Sequence, residues 1–126
     1  MTFSRAVLVG LALPFLGIGL VFFAAPNALA PQLGLALSGA LADHDVRAVY
    51  GGLQIGVGLF LLRAGLTARA IAPALELAAL VYAGLAAARG VGWVVAGDPG
   101  PLGLALHAGE TLGLALAVVA LRARAA

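Results

Sequence analysis

Seven polar side chains lie inside or at the edge of the long apolar runs of this sequence: Arg47, Gln54, Glu76, Tyr82, Arg89, His107 and Glu110. Ionisable groups at membrane depth cost roughly 2.5–3.5 kcal/mol each and normally face a bundle interior, so these positions are where chemistry is expected. Arg47 and Gln54 are seven residues apart, on one helical face with Gly51 and Gly58. Tyr82, Arg89 and Trp93 share a face by the same spacing, and His107 lies three residues before Glu110 and beside Thr111. Counted from the helix ends, Gln54 and Glu110 are each about 12 Å deep, with Arg47 and Arg89 nearer the edge. Such groups are expected to meet in a polar pocket at one end of a bundle, where Glu110, with Glu76 as a second candidate, satisfies Arg47 and Gln54. Glu76 falls on a different face from Arg89, about 9 Å into its helix from the opposite end. It is expected against the second helix or the lower part of the cavity.

Plainer readings accompany each residue. Arg47 and Arg89 are long enough to snorkel to headgroups near helix ends. Trp93 and Tyr50 are placed as interfacial anchors. The run "HAGE", His107 to Glu110, has a spacing compatible with a metal, but a closed site needs further N, O or S ligands, so no metal and no cofactor is expected.

The elements that must position these groups follow from composition. The 126 residues are 63% hydrophobic and 10% charged, against about 45–50% and about 25% in soluble domains. The chain is therefore read as an all-α integral membrane four-helix bundle. Net charge is +2, carried by seven arginines and no lysine against five acids. That small excess suits orientation in a bilayer, not nucleic-acid binding, which wants a basic face in polar surroundings. No cysteine is present, which excludes disulfides and thiolate sites.

A membrane helix needs about 20 mostly apolar residues. Four segments qualify: Phe3–Ala25, Val46–Leu62, Ala70–Val95 and Leu102–Leu121. They form one transmembrane domain over residues 1–126, with turn chemistry at "PNALAP", "RAGLTAR" and "GDPGP" between them. Four crossings put Arg5, Arg63, Arg69, Arg122 and Arg124 on one side, and Asp43, Asp45 and Asp98 on the other. The positive-inside rule then predicts cytoplasmic N and C termini. Residues 1–30 also resemble a secretory signal with "ALA" before Pro31, yet an apolar run of about 20 residues exceeds the usual 7–15 of such signals, so an uncleaved first helix is expected. The first outer loop, "ALAPQLGLALSGALA", is too short to span and is read as a short interfacial or re-entrant helix.

Close packing in lipid depends on small residues. Among 18 glycines, two G-x-x-x-G spacings stand out, Gly52–Gly56 and Gly109–Gly113. With Gly51 they are expected to pack the helices within the chain, or to form the face of a homo-oligomer.

The run "RAVYGGLQIGVGLFLL", Arg47 to Leu62, followed by Glu76, Arg89 and Glu110, resembles a widespread family of small bacterial four-helix membrane proteins. That family is the domain of unknown function 4345, similar in layout to DoxX-like proteins. Its most specific part here is an arginine followed by Gly-Gly and a polar residue: Arg47, Gly51, Gly52 and Gln54. The resemblance covers nearly the whole chain and implies architecture but no activity. An acid is often expected where this chain has Gln54, and the amide departs from a proton-handling pattern.

Two small four-helix classes are discounted. Multidrug exporters need an acid in the first helix, which Phe3–Ala25 lacks, and dual-topology fluoride channels avoid a strong arginine bias. The leading expectation is a non-enzymatic bundle whose outer-leaflet cavity, lined by Arg47, Gln54, Arg89, His107 and Glu110, binds a small amphipathic molecule or lipid headgroup. The alternatives are an accessory subunit or assembly factor of a larger membrane complex, and a proton or ion pathway through Glu76 and Glu110. An enzyme ranks last, because no nucleophile–base pair is legible. The expected partners are the lipid bilayer, a small amphipathic ligand, and a second copy of the chain or another membrane protein.

Overall fold

The computed structural model describes residues 1–125. Among them there is no strand. Helix α1 spans Phe3–Ala24; a short α2, Pro26–Leu29, runs into a 3-10 turn at Ala30–Leu33. Helix α3, Ala40–Val46, continues through a π-helical stretch, Arg47–Leu53, into α4, Gln54–Thr67. Helices α5, Ile71–Ala96, and α6, Gly100–Ala125, form the second hairpin. Four helices are long and apolar enough to cross a membrane, with Ala40–Thr67 acting as one 28-residue span.

That second span is longer at both ends than Val46–Leu62. Gly39, at φ 86°, starts it six residues early, and the charged run Asp43 to Asp45 occupies its first turns instead of a loop. At the far end the helix absorbs Arg63 and stops only where Ala68 (φ 58°) and Ala70 (φ 54°) take left-handed conformations. The last turn forms as expected around "GDPGP", where Asp98 Oδ1 accepts from the Gly100 amide at 2.9 Å.

Helix α1 is central. It packs along α4 and the π stretch on one side and meets α6 and α5 on the other. The main core joins Leu8, Leu11, Phe15, Leu61, Leu75 and Tyr82, in the half of the bundle that carries Arg5, Arg63, Arg69, Arg122 and Arg124. A smaller cluster of Phe22, Ala30 and Val46 closes the other half under the first loop. Large side chains such as Leu80 (73% exposed), Val94 (88%) and Leu13 (61%) cover the outside, where hydrocarbon is the solvent.

The α1–α4 seam is built from a glycine repeat of seven. Gly51, Gly58 and Gly65 face Phe23, Leu16 and Val9, which step by seven in the opposite direction. A Cβ at these glycines would lie 2.9 Å from the Phe23 amide nitrogen, 2.7 Å from Leu16 Cγ and 2.8 Å from Val9 Cγ2. A period of seven suits helices crossing at a shallow left-handed angle, whereas G-x-x-x-G suits steeper right-handed crossings. The expected G-x-x-x-G packing is therefore corrected. Gly52, Gly56 and Gly109 are exposed, and no other helix approaches where their Cβ would stand. Of the glycines expected to pack the helices, Gly51 and Gly113 are in close contact, Gly113 against the Tyr82 ring.

Two arginines tie the ends of this seam. The last carbonyls of a helix have no partner within it and carry negative dipole charge. Neither α1 nor α4 has a basic residue in its own last turn. Arg5, at the start of α1, donates from Nε to the Gly65 carbonyl (2.7 Å) and from Nη2 to that of Leu66 (2.8 Å), at the end of α4. Arg47 does the reverse, donating to the carbonyls of Phe23 and Ala24 at the end of α1. Each helix is capped by an arginine of the other.

Candidate functional site

A cavity of about 710 Å³ opens between α1, the second span, α5 and α6, at the end away from the arginine-rich termini. Its walls are mostly apolar, and the segment Leu29 to Leu35 roofs it. Phe15 and Tyr82 meet edge to face at 5.2 Å on its inner side, and the Tyr82 hydroxyl donates to the Leu11 carbonyl at 3.3 Å. Tyr50 leans on Phe22 at 5.3 Å and lines the same space, so it does more than anchor the interface.

The polar feature of the cavity is one ion pair. Arg89 Nε donates to Glu110 Oε2 at 2.8 Å and Nη2 to Oε1 at 2.7 Å, a bidentate fork. Glu110 is 8% exposed, among the few buried polar residues of the bundle. The hairpin turn sets this register, because α5 and α6 run antiparallel and bring residues 21 apart into contact. Gln54 reaches the cavity from the second span, half-buried and uncharged.

Four of the seven singled-out residues, Gln54, Tyr82, Arg89 and Glu110, thus converge. The other three do not. Arg47 pairs with Asp43 (Nε to Oδ2, 2.7 Å) and caps α1 instead of meeting Gln54 or Glu110. Arg47 stays on the α1-facing side with Gly51, where Asp43 and the open carbonyls of Phe23 and Ala24 hold its guanidinium. His107 lies against the edge of Trp93 at 6.3 Å, outside the lining, with its Nδ1 buried and unpartnered among the described residues. Its neighbour Thr111 donates to the His107 carbonyl at 2.9 Å. Glu76 is exposed on the outer surface of α5 and touches neither the cavity nor an ion-pair partner among the described residues. Glu110 and His107 point to different partners, and no cluster of three His, Cys, Asp or Glu side chains forms among the described residues.

Two features escaped the sequence reading. The capping role of Arg5 is visible only once α1 and α4 are known to be neighbours. The second is the place of Leu29 to Leu35 over the cavity: short helical turns form in this loop, where a short interfacial or re-entrant helix is expected, but which space they cover is not written in the sequence.

Four long apolar helices around a cavity with a neutralised ion pair define a multi-pass helical membrane protein. The chain belongs to the family described as domain of unknown function (DUF4345), which matches residues 3–121. No curated protein and no solved structure matches it significantly.

Proposed function

We propose that this protein binds a small amphipathic or lipid-like molecule in the cavity between its helices. The observation that carries this reading is the cavity itself: about 710 Å³, apolar walls, and a few convergent polar groups at Gln54, Arg89 and Glu110. Ligand sites have that size and composition. Its support differs from the sequence expectation in one respect, since the charged groups are one neutralised pair, joined by the amides of Gln32 and Gln54 and by Tyr50 and Tyr82, not two free cations. Placing the five-arginine end in the cytoplasm puts both termini inside a bacterial inner membrane and the cavity in the outer leaflet.

Native and denaturing mass spectrometry of detergent-extracted protein, with lipid extraction, tests this. A molecule that co-purifies with the wild type is expected to be lost when Ala105→Trp or Ala88→Trp fills the cavity from α6 or α5. Equal content in the folded variants and the wild type sinks the reading. Exposed Gly52 and Gly56 favour a second reading, an accessory subunit docking a partner helix there. A stoichiometric protein partner in the same spectra would support it. The position of Glu76 on the outer surface lends no support to an ion route through both glutamates.

A further inference from the structure

The charge balance and size of the cavity narrow its occupant. Arg89 and Glu110 are the only formally charged residues lining it among those described, and they neutralise each other through two bonds at 2.7 and 2.8 Å. An anionic head would compete with Glu110 for the same N–H groups and bring an uncompensated charge against mostly apolar walls. An ammonium head would meet Arg89. Neither sign of charge is matched.

Hydrogen-bond donors, however, remain. A guanidinium has five N–H groups and the bridge uses two of them, leaving three on Arg89. The Gln54 amide adds an uncharged donor and acceptor from the facing helix. These suit carbonyl and hydroxyl oxygens. The remaining walls, among them Phe15, Ile18, Phe22, Leu85 and Leu106, suit a hydrocarbon chain. At about 30 Å³ per water-sized group, 710 Å³ holds on the order of two dozen non-hydrogen atoms. That is the size of one chain with a small head.

We infer that the occupant is a neutral single-chain lipid whose head carries carbonyl and hydroxyl oxygens, a monoacylglycerol being the simplest example. The inference rests on the cavity reading above. The head lies at Arg89 and Gln54, and the chain lies along the apolar walls.

The test uses a diazirine-bearing monoacylglycerol on the detergent-solubilised full chain, with labelled residues mapped by peptide sequencing. Saturable labelling of cavity positions such as Ile18, Leu85 or Leu106 is expected, blocked by plain monoacylglycerol and abolished by Ala105→Trp or Ala88→Trp in variants that keep the wild-type melting temperature. The ionised fatty acid, a lysophosphatidylcholine and a diacylglycerol should compete roughly tenfold or more weakly, a difference of about 1.4 kcal/mol. Equal or better competition by any of these three overturns the inference yet leaves a ligand-binding cavity standing. Labelling confined to outward positions such as Leu80 and Val94, unchanged by either tryptophan, overturns the cavity reading as well.

Discussion

The Arg89–Glu110 pair yields the sharpest quantitative prediction. Glu110→Leu leaves a guanidinium facing an apolar cavity with its two acceptors gone. Breaking a fully buried pair costs about 3–5 kcal/mol, and the discount here is modest, since the side chains are 32% and 10% exposed. A loss of about 2–3 kcal/mol is expected. Arg89→Met should cost about 1–3 kcal/mol, because it leaves a buried carboxyl without its two donors. The double variant removes both charges and fills similar volume, so it should fall within about 1 kcal/mol of the wild type. The cycle then gives a coupling of roughly 2 kcal/mol or more. The assay is reversible unfolding in mixed micelles by SDS titration, followed by helical circular dichroism. Single effects that add to the double within about 0.5 kcal/mol would refute the reasoning, because independent sites add to that degree. The same double variant bears on the ligand, since it removes the proposed head contact at Arg89 without opening a stability gap.

Three further outcomes follow from the packing. Gly51→Ala should destabilise by about 1–3 kcal/mol, because its Cβ meets the Phe23 backbone at 2.9 Å, whereas Gly56→Ala, facing open space, should be neutral or gain up to about 1 kcal/mol of helix propensity; the same unfolding titration compares them. Ala68→Gly should raise stability by about 1 kcal/mol, since glycine adopts φ 58° without the Cβ penalty, and an unchanged or lowered melting point would contradict that turn. Arg5→Met should cost about 1–2 kcal/mol and speed amide exchange in the last turns of α4, by removing the donors on the Gly65 and Leu66 carbonyls.

The reciprocal arginine caps explain why charge survives at both ends of the α1–α4 seam. Each guanidinium satisfies carbonyls that its neighbour helix leaves open, so the cost of holding it at the membrane edge is offset twice, by hydrogen bonds and by the helix dipole. Arg47 also keeps Asp43 at 2.7 Å, which ties the start of the second span to the end of α1 directly beside the roof of the cavity. A residue expected to bind ligand thus holds the frame around the site instead.

What the amino-acid order determined alone is the number and order of the spans. Long apolar runs between Phe3 and Leu121 leave no other way to satisfy backbone polar groups in hydrocarbon than helices, and "GDPGP" can only turn. The polar residues inside those runs were equally legible, and Gln54, Tyr82, Arg89 and Glu110 do line one cavity. What only the tertiary structure decided is which way each side chain faces. The open carbonyls at the end of α1, whose nearness no periodicity announces, hold Arg47 away from Gln54. Gly51, Gly58 and Gly65 took the seam that Gly52 and Gly56 were expected to occupy, because the partner's ridge, not the spacing within one helix, selects the glycines that are touched. Glu76 stands outside and Glu110 inside for the same reason: depth along a helix is written in the sequence, but the azimuth that meets a neighbour depends on where the neighbour lies.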